Sequence, residues 1–400
     1  MSRRVLVAPV MMIAALLAAC GGSSARRMLP TPTIEPPADI TIPANSQITI
    51  GISASFIGDQ AGLGRDIADA AELAMADAGG AIKGHKLVAL RVDDGCDDAE
   101  KAVAAARRFV AEDGLAGVIG PMCTTGVQAA DKTYSDAHIV HISPTATRIG
   151  LATQDGPYFF RTSWQDDAEA RVQAAYLRET ANAATAIVVD DGQPYGKGLA
   201  DAFTTAFEAA GGRVVSRERI ARGTTDFTTL ARQVKSANPA ALVFEGLNPE
   251  GVLLAKALDE NSYAGLFVGP DALLRVREFI VAGAAATDGA IISGGPMPDE
   301  AFVAKFRNRF QREPSTSFVL EAYDAATALI KALDATAKPA PDGGLTIGRS
   351  ALAATLHGQR FAGLTGTVAF DDNGDRAGDR PHDLGLEIYR VVNGKFEPIR

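Results

Sequence analysis

The sequence has little of what metal-dependent or nucleophilic chemistry requires. Its five histidines form no pair at metal-ligand spacing, and His138 and His141 flank a predicted buried strand, which favours a structural role. The chain also lacks a GxSxG elbow, a Walker motif and a GxGxxG turn after the first strand. These absences argue against an enzyme, and neither a metal nor a cofactor is expected.

A surplus of positive charge is missing as well. The formal net charge is -9 and the pI is about 5.2, which argues against nucleic acid as a partner because phosphate binding rests on clustered Lys and Arg. What is present is apolar: 47% of the 400 residues are hydrophobic and 22% are charged. Such a chain can bury a sizeable core, and its length suits two domains.

The amino terminus carries export signals. Arg3 and Arg4 precede an apolar stretch, residues 5–17, that is too short to span a membrane. The tetrapeptide Leu17-Ala18-Ala19-Cys20 then matches the lipobox of bacterial lipoproteins, which implies a signal peptide over residues 1–19 and a diacylglycerol on Cys20. The alternative is an ordinary signal peptide with an incidental cysteine. We expect an exported protein, lipid-anchored to the outer face of the cytoplasmic membrane in the periplasm or at the cell surface.

Residues 20–45 predict a disordered tether between this anchor and the folded part. They turn to Gly, Ser, Arg and Pro and lack apolar periodicity, as low-complexity linkers do. Such a tether would let the folded part stand off the membrane and reach a partner embedded in it.

The two other cysteines are Cys96 and Cys123. In an exported protein an even pair predicts a disulfide first. A zinc site is the competing interpretation, but two thiols without a histidine pair or CxxC spacing make a poor ligand set.

From residue 48 onward, short apolar runs alternate with Ala-rich amphipathic segments, which is typical of repeated βαβ units that build parallel sheets. The first series predicts strands at 48–53, 86–92, 116–119 and 139–142, and helices at 67–78, 99–112 and 125–136. The second predicts strands at 186–190, 213–220, 241–245 and 266–268, and helices at 166–180, 198–210, 227–236 and 249–260. Helices at 300–311 and 318–337, a surface loop at 338–344 and strands at 367–370 and 386–392 close the chain. We predict two doubly wound lobes, each a three-layer α/β/α sandwich.

Ligands of open α/β sheets bind at the carboxyl ends of the strands, and two successive strands of the first series end in hydroxyl-rich loops. Thr124 and Thr125 open a helix after one strand, where hydroxyls and free backbone N–H groups suit a carboxylate. Ser143, Thr145 and Thr147 follow the next strand. Thr124 or Thr125 could instead serve only as a helix N-cap.

Two loops of the second series add an aromatic ring and an acid. Tyr195 lies among glycines after one strand, and Asp271 follows another. Tyr195 could simply be exposed at the surface, and Asp271 could be a helix N-cap. Together with the threonines, however, they form the complement of a zwitterion: hydroxyls and amides for a carboxylate, an acid for an ammonium and an aromatic lid.

In order and spacing, these loops resemble those of the branched-chain amino acid-binding proteins, the type I periplasmic solute-binding family that serves ABC importers. The resemblance covers nearly all of residues 47–400. It is carried by Val92-Asp93-Asp94-Gly95-Cys96-Asp97, Val118-Ile119-Gly120 with Cys123 and Thr124, Ile142-Ser143-Pro144-Thr145-Ala146-Thr147, Phe160-Arg161-Thr162, Gln193-Pro194-Tyr195-Gly196-Lys197-Gly198, Phe227, and Gly269-Pro270-Asp271.

The resemblance implies a headgroup site for an amino acid. Thr124 and the segment Thr145-Ala146-Thr147 would hold the α-carboxylate and part of the ammonium through side-chain and main-chain groups. Asp271, shorter than the glutamate usual there, would take the ammonium, and Tyr195 would close over the ligand from the second lobe.

The side-chain pocket implied by the resemblance is different. Leu63 and Leu247 stand where the leucine-binding pattern has aromatic residues, so the side chain that is bound need not be that of leucine, isoleucine or valine. The family also bonds the cysteines that match Cys96 and Cys123.

The family topology implies three crossings between the lobes, near residues 161–163, 294–296 and 363–366. Lobe I would comprise residues 46–162 and 296–364, and lobe II residues 163–295 and 365–400. Closure would be a hinge motion around the ligand. The expected partners are an amino acid-like ligand and the permease of an ABC importer, and the protein is expected to be a monomer.

Two other functions stay open. The same lobes could bind amides, urea or aromatic acids. A regulatory cell-envelope lipoprotein could also use the fold to contact cell-wall enzymes without a small ligand, although such a surface has no need for a zwitterion site at the strand ends.

Overall fold

The computed structural model describes residues 39–153, 156–378 and 380–399. The predicted signal peptide, Cys20 and most of the predicted tether lie outside these ranges. Within them, no helix is both long and apolar enough to cross a membrane.

The first part of the chain builds a mostly parallel sheet. Its elements are β1 (Ile40–Ile42), β2 (Ile48–Ala54), α1 (Ala61–Asp77), β3 (Ala81–Ile82), β4 (His85–Asp93), α2 (Ala99–Val110), β5 (Leu115–Ile119), α3 (Thr124–Asp136), β6 (His141–Ser143) and β7 (Phe159–Arg161). Apart from β1, the strands lie in the order β3-β4-β2-β5-β6-β7, and β3 alone runs antiparallel to its neighbour. Every position of β2 is buried, as expected for a central parallel strand.

A second alternating series follows. It consists of α4 (Asp166–Ala175), continued by a π-helical turn (Tyr176–Thr180), β8 (Thr185–Asp190), α5 (Pro194–Ala209), β9 (Arg213–Arg219), α6 (Thr228–Ala237), β10 (Ala241–Glu245), α7 (Glu250–Glu260), β11 (Leu266–Gly269) and β12 (Ile291–Gly294). Between β11 and β12 lie two 3₁₀ segments (Asp271–Leu273 and Ala284–Thr287) and a second π-helical turn (Val276–Val281). β8 to β12 are parallel neighbours.

The carboxyl-terminal part packs helices against the first sheet and adds strands to the second. Its elements are α8 (Glu300–Phe310), α9 (Val319–Thr336), β13 (Lys338–Pro339), β14 (Leu345–Ile347), α10 (Arg349–His357), β15 (Arg360–Gly363), β16 (Gly366–Ala369), a 3₁₀ segment (Pro381–Leu384), β17 (Glu387–Val392) and β18 (Lys395–Pro398). β17 and β18 extend the second sheet antiparallel beside β12. β14 lies between β1 and β13 in a small antiparallel sheet.

Both large sheets are covered on two faces. On one face of the first sheet Ile50 packs in a core with Leu329 of α9, and on the other Val118 packs with Phe109 of α2. The second sheet is enclosed by α4 and α5 on one face and by α6 and α7 on the other. This arrangement confirms the predicted pair of doubly wound α/β/α lobes.

The loops after β4 and β5 are tied together by the predicted disulfide between Cys96 and Cys123, with an S–S distance of 2.06 Å. Beside it the buried Asp94 carboxylate accepts hydrogen bonds from the Ser53 hydroxyl, at 3.1 Å, and the Cys96 N–H, at 3.0 Å. Burial raises the pKa of Asp94 to about 6 in spite of these donors. The disulfide fixes the amino end of α3 against the first sheet.

The predicted tether extends too far into the folded part. Ile40 and Ile42 are buried in the first core, and their strand pairs with β14. The prolines around this segment hid it, because proline breaks the alternating pattern that identifies a strand. The tether therefore ends before Ile40 and not at residue 45.

The third predicted crossing is also wrong. Residues 363–366 form the turn of the hairpin between β15 and β16, where Gly363 pairs with Gly366. Val368 and Phe370, farther along, still pack in the core of the first sheet. The chain thus passes to the second sheet only after Phe370, before β17 begins.

Candidate functional site

A small cavity lies between loops of the two sheets, at the carboxyl ends of their strands. It is lined by Gln60, Leu63, Asp97, Met122, Cys123, Thr124, Thr145, Tyr195, Leu247, Asp271, Ala272 and Phe318. Its volume of about 40 Å³ leaves room for only a few water molecules. A molecule the size of an amino acid needs more room than this, so its binding requires the two lobes to move apart.

The structure brings most of the predicted binding residues to this cavity, but not Ala146 and Thr147. Ala146 is buried behind it, where its carbonyl accepts a hydrogen bond from Arg161 Nη1 at 3.1 Å. Thr147 is fully buried, and its carbonyl accepts the Asp166 N–H at 2.9 Å. Neither of these two residues lines the cavity.

The hydroxyl side of the cavity belongs to the start of α3. Cys123 is the N-cap of this helix and provides no side-chain cap, so the first N–H groups of α3 remain available to an anion. Thr124 follows as the first helical residue, and its buried hydroxyl has no hydrogen-bond partner among the described residues. The alternative of Thr124 as a simple N-cap is wrong. The nearby Thr145 hydroxyl donates to the Met122 carbonyl and can only accept further bonds.

The acidic side of the cavity is Asp271, which is 2% exposed. Its Oδ1 accepts the Tyr195 hydroxyl at 2.5 Å. Its Oδ2 accepts no N–H or hydroxyl among the residues the structure describes, and the Glu169 carboxyl lies close enough to share a proton with the Asp271 carboxyl. Burial and the neighbouring Glu169 carboxylate raise the pKa of Asp271 well above its ordinary value. Both alternatives from the sequence fail here: Tyr195 is not a free surface ring, and Pro270, not Asp271, occupies the N-cap of the following 3₁₀ segment.

Three more carboxylates surround Asp271, and sequence reasoning missed all of them. Asp166 and Glu169 lie on α4 and Glu245 ends β10, each with 0% exposure. Among the described residues, no lysine, arginine or histidine forms an ion pair with any of these three carboxylates or with Asp271. Both carboxylate oxygens of Glu245 also lack a hydrogen-bond donor in that part of the chain.

These acids were missed because their local sequence is equally typical of a structural role. In the sequence, Asp166 and Glu169 are ordinary acidic residues in the first turn of a helix, where a negative charge interacts favourably with the helix dipole in any protein. In the folded chain, burial raises the pKa of Asp166 to about 7, and nearby Glu169 adds to that rise. Burial and Glu169 likewise raise the pKa of Glu245 well above its usual range. The four acids make a region that favours a positively charged group.

The remaining wall of the cavity is apolar. Leu63, Leu247 and Phe318 pack in one cluster with Met122 and Trp164. Leu63 and Leu247, which the sequence predicts for the side-chain pocket, line the cavity. Phe318 lines it too, but it was not singled out from the sequence because it precedes a helix with no local motif.

Polar contacts hold the two lobes together at the rim of the cavity. Gln60, which precedes α1, accepts a hydrogen bond from Arg275 Nη1 at 2.9 Å and donates to the Asn248 carbonyl at 3.0 Å. A second bridge joins Arg222 to Asp97, with Nε and Oδ2 at 3.6 Å. Each bridge links a loop of the first sheet to the second lobe.

Comparison with known proteins shows which family the chain resembles. A family model described as periplasmic binding protein matches residues 47–395. The Leu/Ile/Val/Thr-binding protein of Salmonella typhimurium is 30% identical over 340 residues, covering 83% of this chain and 89% of that protein. The Leu/Ile/Val-binding protein homolog 3 of Brucella melitensis is 30% identical over 362 residues, covering 88% of this chain and 94% of that protein.

Solved structures share the fold. A leucine-binding protein from Thermotoga maritima aligns with a TM-score of 0.78 at 20% identity, over 88% of this chain and 98% of that one. A solute-binding protein of an ABC transporter from R. palustris, in complex with benzoate, aligns with a TM-score of 0.76 at 20% identity, over 88% and 96% of the two chains. With two α/β lobes, a cavity between them and this sequence similarity, the chain belongs to the periplasmic binding protein family of branched-chain amino acid-binding type, whose members are solute-binding proteins and not enzymes.

Proposed function

We propose that this protein captures an amino acid, branched-chain or related, in the cleft between its lobes. The observation that carries the proposal is the pair of unsatisfied groups on one cavity: the acceptor Asp271 Oδ2 and the Thr124 hydroxyl at the start of α3. A buried polar atom without a hydrogen-bond partner costs free energy. A site that keeps a free acceptor and a free donor is therefore matched to a ligand that carries both an ammonium and a carboxylate.

The α-ammonium of the ligand binds Asp271, and its α-carboxylate binds the Thr124 hydroxyl and the first N–H groups of α3. Thr145, Ala146 and Thr147 complete the headgroup site through main-chain and side-chain atoms once the ligand has entered. Tyr195 closes over the headgroup while its hydroxyl holds Asp271 Oδ1.

The side chain of the ligand lies against the apolar wall. This wall consists of the methyl groups of Leu63 and Leu247 and the ring of Phe318. Such a surface suits an aliphatic side chain of modest size. The names of the curated relatives, which bind leucine, isoleucine, valine and threonine, support this class.

The protein then delivers its ligand to the permease of an ABC importer. We include in the proposal that it acts as a monomer outside the cytoplasm and is held at the membrane by the lipid on Cys20. The transporter named in solved relatives supports the permease as partner, and the lipobox sequence supports the anchor.

A receptor for aromatic acids is the second candidate, because a fold neighbour contains benzoate. An acid without an ammonium would place its negative charge beside four buried carboxylates, which disfavours it here. Thermal shift against a panel of amino acids, amides and aromatic acids separates the two. Stabilisation by aliphatic amino acids alone supports the proposal, and stabilisation by aromatic acids or amides alone overturns it.

The Gln60 bridge should favour the closed form. Gln60→Ala removes the hydrogen bond with Arg275, and a bond to a charged group of this kind contributes roughly 1.5–3 kcal/mol. We expect about tenfold weaker amino acid binding, mostly from faster dissociation, in stopped-flow measurements. Gln233→Ala, exposed on α6, is the matched control. An unchanged dissociation rate in Gln60→Ala would show that this bridge does not hold the lobes closed.

A further inference from the structure

Glu169 lies at a junction of three buried donors. Its Oε1 accepts the backbone N–H of Asp271 at 2.8 Å and the hydroxyl of Ser293 at 2.6 Å, and its Oε2 accepts the indole N–H of Trp164 at 3.1 Å. Glu169 itself does not line the cavity, so its contact with a ligand is indirect.

The three donors come from parts of the chain that matter for binding. Trp164 follows the first crossing segment, residues 161–163, and Ser293 immediately precedes the second, residues 294–296. These segments pack directly on one another, because a Cβ on Gly295 would lie 3.1 Å from the Trp164 ring. Glu169 therefore joins both of these crossings to the backbone of Asp271.

The charge of Glu169 acts on the same residue. Asp271 is faced by Glu169 and Asp166 of α4, by Glu245 of β10 and by the Tyr195 hydroxyl of α5. Arg148 and Arg161 lie near Asp166, but Arg161 is bound to Asp375 at 2.6 Å. A carboxylate so close to Asp271, without a basic partner of its own, makes a positive group at Asp271 more favourable.

We propose that Glu169 is a positioning residue for the ammonium site, which fixes Asp271 through its backbone and attracts the cationic headgroup through its charge. This inference rests on the proposed function, since it needs a ligand with an ammonium. It also explains the residue type. The Asp271 and Trp164 N–H groups bind different oxygens of Glu169, so glutamine would place its amide NH₂ against one of these two donors.

The test is calorimetry of Glu169→Gln with an aliphatic L-amino acid, over a pH series. At high pH we expect about tenfold weaker binding than in the wild-type protein. Asp271 must be ionised to bind ammonium, so affinity falls as the pH drops through its pKa. Neutral glutamine no longer opposes that ionisation, and the pH midpoint of binding should therefore move to lower pH in the variant.

Two companions make the outcome decisive. Glu179→Gln, at the exposed end of the π-helical turn, should match the wild-type protein in affinity and midpoint. Trp164→Phe removes one donor and keeps the charge, so it should weaken binding without moving the midpoint, and it decides the matter if Glu169→Gln does not fold.

Wild-type affinity in Glu169→Gln or unchanged binding by Trp164→Phe would overturn the positioning of Asp271. A weaker affinity with an unmoved midpoint in Glu169→Gln would overturn the role of the charge. A wild-type protein that binds no amino acid at any pH overturns the proposed function instead, and this inference with it.

Discussion

An Asp271→Asn variant is expected to bind its amino acid at least about thirtyfold more weakly than the wild-type protein. Truncating or neutralising one partner of a buried charge pair typically costs 2–5 kcal/mol, and each 1.4 kcal/mol is a factor of ten in affinity. Asp271 is nearly fully buried and its Oδ2 accepts no hydrogen bond among the described residues. The other carboxylate that lines the cavity, Asp97, faces Arg222, so an ammonium that loses the charge of Asp271 has no equivalent unpaired acceptor there.

Asparagine keeps the size of the side chain and still accepts the Tyr195 hydroxyl, which makes the change specific to charge. Asp259→Asn, on the exposed side of α7, is the control. Isothermal calorimetry gives the dissociation constants, and circular dichroism verifies folding. Binding by folded Asp271→Asn within about threefold of the wild-type value would remove Asp271 from the ammonium site.

Cys20→Ser is expected to release the protein from the membrane almost completely. A thioether-linked diacylglycerol with an additional amide-linked chain holds a protein firmly at a bilayer, whereas a single chain gives only marginal binding. Serine cannot form the thioether, and no helix in the described part of the chain could replace the lipid by spanning the membrane.

Fractionation of expressing cells into membrane and soluble fractions measures this effect, with Ser23→Ala as the neighbouring control. The control should remain with the membrane, and Cys20→Ser should appear in the soluble extracytoplasmic fraction. Persistent membrane association of Cys20→Ser would contradict the lipid anchor.

Elements with a strong local pattern could be predicted from the sequence. The apolar run of β5 and the amphipathic α2, capped by Asp98, lie within a few residues of their predicted bounds because burial on one or both faces determines their composition. Short or irregularly connected strands could not. β7 has three residues, and β12 follows 3₁₀ and π-helical segments that carry no period.

The third crossing, which the family topology implied near residues 363–366, lies elsewhere. Gly363 and Gly366 serve a tight hairpin at that place. Gly366 has a φ of 97°, and a Cβ on Gly363 would lie 2.5 Å from the Asp324 carboxylate, which accepts the N–H groups of Leu364 and Thr365. A resemblance to a family places a crossing only approximately, and the hairpin that displaces it is set by contacts with Asp324 that are distant in the sequence.

The site residues also differ in whether a local pattern identifies them. Thr124, Tyr195 and Asp271 follow strands, and the rule that ligands bind at strand ends located them. Glu245 ends β10, so the same rule could have pointed to it. The position of Glu169 follows only from tertiary packing, which brings α4 against the loop after β11, and no spacing in the chain encodes that proximity.

The most direct test of the amino acid headgroup site is calorimetry with three matched ligands: an aliphatic L-amino acid, its methyl ester and the corresponding acid without the amino group. The ester lacks the carboxylate for Thr124 and α3, and the acid lacks the ammonium for Asp271. We predict measurable binding by the zwitterion and at least about thirtyfold weaker binding by each analogue. Equal or tighter binding by the acid without the amino group would contradict the account.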